Sequence, residues 1–194
     1  MSRFAPWQQA VLDTALGALA ERRLGHALLL VGPEHMGKAE FADALAQRLL
    51  CATPGDDGLA CGRCRGCQLY AHGTHPDFRR ETLQVNEKTG KQRSEIVIDQ
   101  VRGLGAWFAL TPQLGGAQVA LIDPADSMNT ATSNALLKTL EEPAPNRFLL
   151  LVSSRPGRLP ATIRSRCQRL LFRLPPRAEA LAWLHSRGHE AARA

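Results

Sequence analysis

The segment from Gly32 to Lys38, Gly-Pro-Glu-His-Met-Gly-Lys, has the residue types and the spacing of a phosphate-binding loop. Glycines at both ends allow backbone N–H groups to surround phosphate oxygens, and the ammonium group of Lys38 adds a positive charge. The segment follows an apolar run at 26–31 and precedes a helical pattern, which is the context that this motif requires. We therefore predict a nucleotide site that contains Gly32, Gly37 and Lys38. The alternative is a tight turn that carries a surface lysine.

The same site lacks two groups that ATP hydrolysis requires. Ala39 stands where a serine or threonine would bind Mg²⁺. The run from Val119 to Asp123 resembles the strand whose terminal carboxylate reaches the metal, so Asp123 belongs to a degenerate nucleotide site. Pro124, however, stands where ATPases of this type carry the glutamate that orients the attacking water. Because these two losses are complementary, we predict no ATP turnover. The sequence does not decide whether ATP or ADP still binds.

Four cysteines lie close together, in the spacing Cys51-x9-Cys61-x2-Cys64-x2-Cys67. Four thiolates complete a closed tetrahedral zinc site, and a closed site is structural, so we predict structural zinc. An iron–sulfur cluster is one alternative, but such motifs continue to a further cysteine followed by proline, which this sequence lacks. A second alternative is that the four thiols bind no metal. A third is that His72 or His75, which lie close by in the sequence, replaces one thiolate as a zinc ligand. Cys167 stands apart and is predicted to be a buried thiol.

The composition indicates a globular protein. Of the 194 residues, 44% are hydrophobic, which is enough for a sizeable core. No run approaches the ~20 apolar residues that cross a bilayer, and the N-terminus lacks the pattern of a signal peptide. The cysteine distribution does not suggest extracellular disulfides. We therefore expect a cytoplasmic protein without a membrane partner.

The charge balance is basic, with a net charge of +6 and an isoelectric point near 9.5. This charge permits contact with nucleic acid or an acidic partner. Arginine accounts for 20 of the 24 basic residues, and a GC-rich genome would produce the same skew. The charge alone therefore does not assign a nucleic-acid surface.

Apolar runs and helical patterns alternate along most of the chain. Strands are predicted at 26–31, 76–81, 118–123, 148–152 and 168–172. Helices are predicted at 6–23, 38–50, 96–109, 130–142, 160–166 and 177–186. This alternation predicts an α/β fold with a mostly parallel sheet flanked by helices. Ligands of such sheets bind at the carboxyl ends of the strands, where Gly32 and Asp123 would both lie.

Two further motifs resemble those of a known family. The stretch from Ser133 to Pro143, Ser-Asn-Ala-Leu-Leu-Lys-Thr-Leu-Glu-Glu-Pro, is similar to a hallmark sequence of bacterial and eukaryotic clamp-loader subunits. The tripeptide Ser165-Arg166-Cys167 is similar to their arginine-finger motif, and the bacterial subunits share the four-cysteine module. The resemblance covers the chain from about Pro6 to Phe172. It implies an AAA+ P-loop fold and membership of a five-subunit ring that uses ATP to place a sliding clamp on primed DNA.

Within such a ring, the losses at Ala39 and Pro124 together with a retained Arg166 are most similar to a rigid stator subunit that does not hydrolyse ATP. The resemblance implies that Arg166 completes the ATP site of a neighbouring motor subunit, since a guanidinium can reach γ-phosphate oxygens in trans. A solvated surface arginine is the alternative. The implied partners are motor subunits, a delta-type wrench subunit and, through the complex, the clamp and primed DNA. The assembly as a whole belongs to a DNA-directed DNA polymerase holoenzyme, a nucleotidyltransferase.

We expect two domains. Residues 1–173 would form an AAA+ nucleotide-binding-like domain with a zinc-binding insertion at 51–67, and residues 174–194 would begin a helical lid domain. The family continues through the lid into a collar domain that closes the ring. This chain is therefore either a piece of a longer protein, which we expect, or a naturally short form.

Two other functions compete with the stator. An ATP-hydrolysing motor subunit would share the fold, the zinc module and Arg166, but Ala39 and Pro124 argue against it. A zinc-ribbon module that binds nucleic acid on an inactive P-loop domain would need aromatic side chains for base stacking. Aromatic residues make up only 5% of the chain, and Tyr70 alone lies beside the cysteines.

Overall fold

Five parallel strands form the centre of the protein, and a computed structural model describes residues 4–87 and 89–187. The strands are β1 (Ala27–Val31), β2 (Phe78–Glu81), β3 (Gln118–Ile122), β4 (Arg147–Ser153) and β5 (Gln168–Leu171). Their order across the sheet is β2-β3-β4-β1-β5, and each neighbouring pair is parallel. The helices are α1 (Pro6–Ala20), α2 (Lys38–Leu50), α3 (Arg65–Ala71), α4 (Ile98–Phe108), α5 (Thr130–Glu141), α6 (Ala161–Arg164) and α7 (Arg177–Ser186). The predicted α/β fold with a parallel sheet is confirmed.

The central strands β1, β3 and β4 are buried on both faces because each face of the sheet has its own hydrophobic core. Leu28 and Leu30 of β1 share one core with Phe41 of α2, whereas Leu29 belongs to the other core together with Leu104 of α4. Strands covered on both faces have no solvent-facing positions. This explains why β1 and β3 appear in the sequence as continuous apolar runs.

The predicted elements are present with small shifts at their ends, and one helix was missed. Helix α1 ends at Ala20 rather than at residue 23, and Arg22 adopts a left-handed backbone conformation with φ of 56°. The missed element is α3, which begins directly after Cys64 and contains Cys67. Its N-terminal capping group is the Cys64 sulfur, which accepts a hydrogen bond from the Cys67 N–H. Oxygen-bearing caps are the usual signal of a helix start, and the residues before α3 carry no such signal.

Helix α7 begins where the lid domain was predicted to begin. The Trp183 ring meets the Trp7 ring of α1 edge-on, with 5.3 Å between their centroids. The division into domains stays a prediction, and its last residues, 188–194, lie outside the described residues. No helix in the described part of the chain is long and apolar enough to cross a membrane.

Candidate functional site

The predicted phosphate loop connects the end of β1 to the start of α2, and both of its glycines are required by the fold. Gly37 has a left-handed φ of 73°, which favours glycine. At Gly32, a Cβ atom would lie 2.3 Å from the carbonyl oxygen of Phe172, so a side chain would collide with backbone. Since β1 and β3 are parallel, the loop and Asp123 lie at the same end of the sheet, here called the carboxyl end. The predicted set of Gly32, Gly37, Lys38 and Asp123 is therefore brought together.

Lys38 is buried, and its ammonium group is bonded within its own chain. The residue is only 5% exposed. Its Nζ donates to the carbonyl oxygen of Pro33 and to Ser154 Oγ, the latter at 3.0 Å. Burial lowers the pKa of Lys38, and the negative charge of Asp123 opposes that shift. The lysine thus binds the loop and the end of β4 together.

Gln8 of α1 packs against the loop, a contact that the sequence analysis missed. The Gln8 amide donates to the carbonyl oxygen of Met36 at 2.8 Å and accepts from the Ala5 N–H at 2.9 Å. A Cβ atom on Gly37 would lie 2.1 Å from Gln8 Nε2, so the amide lies directly against that glycine. The first helix therefore covers part of the loop that would surround a phosphate.

Two carboxylates at the carboxyl end have opposite pKa shifts. Burial raises the pKa of Asp123, although the positive charges of Arg80 and Lys38 oppose it. Burial would also raise the pKa of Asp126, but hydrogen bonds outweigh it and the pKa is lowered. Asp126 accepts from Arg155 Nε and from the Ser154 N–H, each at 3.1 Å. Asp126, which the sequence analysis also missed, thus joins the end of β3 to the end of β4.

The four predicted zinc ligands form a compact group of sulfur atoms. All four lie within 4.8 Å of one another. Cys51 Sγ is 3.6 Å from Cys61 Sγ and 3.9 Å from Cys64 Sγ, and Cys61 Sγ is 4.0 Å from Cys67 Sγ. Zinc–sulfur bonds of about 2.3 Å at tetrahedral angles place sulfur atoms about 3.8 Å apart. The cluster can therefore bind a metal ion; among the described residues it is the one such group, and neither nearby histidine belongs to it.

The cysteine thiols differ in acidity because their surroundings differ. The neighbouring Thr53 hydroxyl and backbone N–H groups lower the pKa of Cys61 to about 5. Burial raises the pKa of Cys67 to about 12, and it also raises the pKa of Cys51. Without a cation, the thiols of Cys51 and Cys67 therefore stay protonated at neutral pH. A bound metal ion would supply the charge that makes all four sulfurs thiolates.

The cysteine module is attached to the main domain by polar contacts at two places. Arg48 Nε of α2 donates to the carbonyl oxygen of Gly58 at 2.7 Å. The Tyr70 hydroxyl of α3 donates to Asp43 Oδ1 of α2 at 2.6 Å, and Arg80 forms an ion pair with the same carboxylate. These contacts fix the module against α2 and β2 independently of the cysteines.

Arg166 lies between α6 and β5, at the opposite end of the sheet from the phosphate loop. β5 pairs in parallel with β1, and Gln168 lies opposite Leu28 at the start of that strand. We call this the amino end of the sheet. Arg166 Nη2 forms an ion pair with Glu141 Oε1 at 2.8 Å, and Nη1 donates to the Thr162 carbonyl oxygen at 2.9 Å.

The two neighbours of Arg166 in its motif have different surroundings. The Ser165 hydroxyl donates to the carbonyl oxygen of Thr162 at 3.2 Å. Cys167 is buried in the core, as predicted, and burial raises its pKa to about 11. The candidate residues therefore occupy three separate places: the carboxyl end of the sheet, the cysteine module and the amino end.

Comparison with known families assigns the chain. The family model described as "DNA polymerase III, delta subunit" matches residues 7–176. The chain belongs to this family. A delta′ subunit of DNA polymerase III from Pseudomonas aeruginosa is 46% identical over 184 residues, covering 95% of this chain and 53% of that protein. The delta′ subunit of Escherichia coli K12 is 37% identical over 182 residues, covering 94% and 52%.

These relatives confirm the resemblance to clamp-loader subunits, and specifically to the delta′ type that Ala39, Pro124 and Arg166 suggested. The chain spans about half the length of the curated relatives it matches. Among solved structures, a gamma-subunit-related protein from Thermotoga maritima matches with a TM-score of 0.53 and 18% identity, covering 86% of this chain and 48% of that one. This likeness concerns the fold, and the predicted AAA+ fold class is confirmed.

Proposed function

We propose that this chain is the AAA+-type domain of a delta′ stator in a bacterial clamp loader. In this proposal it does not hydrolyse ATP, and its Arg166 enters the ATP site of a neighbouring motor subunit. Motor subunits and a delta-type subunit are its direct partners, and it acts on the sliding clamp and primed DNA through the complex. The names of its relatives and its family membership support this assignment.

The position of Arg166 is the observation that carries the proposal. The phosphate loop follows the carboxyl end of β1, whereas Arg166 precedes the amino end of β5, which runs parallel to β1. Measured along the strand direction, the two therefore lie about 13 Å apart, the length of a four-residue strand. The guanidinium is directed toward Glu141, which also lies at the amino end. It therefore lies too far from its own loop to serve it, and this supports a role in the site of another subunit.

The carboxyl end supports the absence of hydrolysis. Ala39 and Pro124 supply neither a metal ligand nor a group to orient water. Lys38 is bonded to Pro33 and Ser154, and Gln8 lies against Gly37. We expect steady-state ATP turnover by the chain alone to stay below about 0.1 per second, a tenth of the low end of ordinary enzyme rates.

The test of the proposal is the Arg166→Ala variant in a reconstituted loader. The other motor sites carry inactivating substitutions, so that hydrolysis reports only the site beside this subunit. We expect a loss of about 10³-fold or more, the lower end of the effect of a trans-acting arginine. Arg166→Lys should recover little because it lacks the planar fork. Arg169→Ala, which removes an exposed arginine three residues away, is the matched control. Normal hydrolysis by the Arg166→Ala loader would refute the proposal.

We also propose that the cysteine module holds one structural zinc ion. The sulfur separations fit a single ion, whereas the ligands of an iron–sulfur cluster are spread apart by the iron and sulfide atoms between them. Elemental analysis should give about one zinc per chain. Visible charge-transfer absorption, or no bound metal, would contradict this assignment. Because the module has its own contacts with α2, chelation should loosen it without unfolding the sheet.

A further inference from the structure

The side chain of Glu141 holds the guanidinium of Arg166. Glu141 is the last residue of α5 and belongs to the stretch from Ser133 to Pro143 that carries the family resemblance. Its carboxylate accepts from Arg166 Nη2 at 2.8 Å, while the carbonyl oxygen of Thr162 accepts from Nη1 at 2.9 Å. The guanidinium is thus attached to two different helices, α5 and α6.

These two attachments leave most of the arginine's hydrogen-bonding capacity unused. A guanidinium carries five N–H donors, of which the Glu141 and Thr162 contacts occupy two. The side chain is 36% exposed, so the remaining donors are accessible to a ligand from outside the chain. The contact therefore orients the group without consuming it.

The place of Glu141 in its helix also calls for an explanation. The C-terminal end of a helix carries a partial negative charge, so a carboxylate there is unfavourable. Leu136 and Leu140 bury α5 in the core, and this fixes where the end of the helix lies. A carboxylate on that fixed helix end has one ionic partner in the described part of the chain, Arg166.

We propose that Glu141 is a positioning residue for Arg166, a role that rests on the proposed function of the arginine in trans. Arg166 lies on a connection after a single helical turn, and a free arginine side chain samples many rotamers. Glu141 and the Thr162 carbonyl limit this freedom before the neighbouring subunit's phosphate arrives. The phosphate then contacts a guanidinium that is already oriented, so the Arg166 side chain loses less conformational entropy on binding.

The experiment compares Glu141→Gln with Glu142→Gln in the reconstituted loader, with the subunit in its complete natural form and one active ATP site. Both variants remove one negative charge from the end of α5. Glu142 is exposed and forms no ion pair among the described residues, so it is the matched control. We expect Glu141→Gln to lower kcat at this site by about two- to fivefold with KM unchanged, the range for a partly exposed ion pair. Glu142→Gln should stay at the wild-type rate.

A double variant separates positioning from other roles. In the Arg166→Ala background, Glu141→Gln should cause no further loss, because the group that it positions is gone. Equal losses in both backgrounds would overturn the proposal, and so would Glu141→Gln behaving like Glu142→Gln while Arg166→Ala remains impaired. Normal hydrolysis with Arg166→Ala would refute the trans role itself and this proposal with it. Thermal melting of each variant checks that the domain is folded.

Discussion

At the carboxyl end of the sheet, Lys38 is 5% exposed and its ammonium group donates to its own chain, whereas at the amino end the Arg166 side chain is 36% exposed and keeps unused donors. Lys38 begins the helix that follows β1, and Arg166 lies just before β5, the strand that pairs with β1. Lys38 is part of the packing, whereas the Arg166 side chain is held by Glu141 at the surface and stays partly exposed. Under the proposed function, the difference separates a lysine that is bonded within its own chain from an arginine whose free donors remain available to another subunit.

Contacts at the carboxyl end involve more than the two missing groups. Gln8 lies against Gly37, and Ser154 links Lys38 to Asp126 through its hydroxyl and its N–H. The predicted phosphate-binding groups thus connect α1, the loop and the ends of β3 and β4. The substitutions Ala39→Ser and Pro124→Glu would leave these contacts in place, so we do not expect the pair to restore hydrolysis.

The largest expected effect contrasts the two cations directly. In a loader with one active site beside this subunit, Arg166→Ala should reduce hydrolysis by about 10³-fold or more. Lys38→Met, measured in the same assay, should leave the rate within about twofold, since Lys38 contacts only its own chain in this proposal. A large loss with Lys38→Met in this assay would show that Lys38 also acts on the neighbouring site, and it would erase the contrast between the two ends.

The sequence allowed the sheet and most helices to be predicted, because buried strands such as β1 and β3 leave long apolar runs and Pro143 marks the end of α5. It also allowed the cysteine group to be predicted, since those ligands lie close along the chain. The contacts of Gln8, Ser154 and Glu141 could not be predicted in this way. Gln8 and Met36 are 28 positions apart, and Lys38 and Ser154 are 116 apart, so no local pattern records these pairs.

A second contrast concerns two glycines, one that lies against backbone and one that faces open space. Gly32→Ala places a Cβ atom 2.3 Å from the carbonyl oxygen of Phe172, and backbone must move to accommodate it. We expect a destabilisation of about 2–3 kcal/mol by urea unfolding. Gly157, on the connection between β4 and α6, has no atom within 4 Å of such a Cβ. Gly157→Ala should therefore be neutral or slightly stabilising. Equal effects of the two substitutions would show that the backbone at Phe172, directly after β5, can move away from the added Cβ atom at little cost.

Asp126 should contribute stability that depends on pH. Its pKa is lowered in the folded state, so its ionised form favours folding above the unfolded pKa of about 4, and this contribution is lost as the pH falls below that value. We expect Asp126→Asn to cost about 1–2 kcal/mol at pH 7, because the charged hydrogen bonds to Arg155 and Ser154 weaken. Urea unfolding at pH 7 and near pH 3.5 measures the change. A cost that is the same at both pH values would point to packing instead of charge.

Asp123 should respond with the opposite sign, and the effect should be the smallest. Burial raises its pKa above the unfolded value, so the folded state binds the proton more tightly and ionisation opposes folding. Stability from this group is therefore complete below about pH 4 and falls as the pH rises through the folded pKa. Asp123→Asn removes that loss, and we expect it to stabilise the domain at pH 7 by less than about 1 kcal/mol and to have no effect near pH 3.5. The positive charges of Arg80 and Lys38 limit the gain because they already favour the carboxylate. Destabilisation at pH 7 would mean that the attraction of Arg80 and Lys38 outweighs the cost of burying the Asp123 carboxylate. The ionised carboxylate would then stabilise the folded domain.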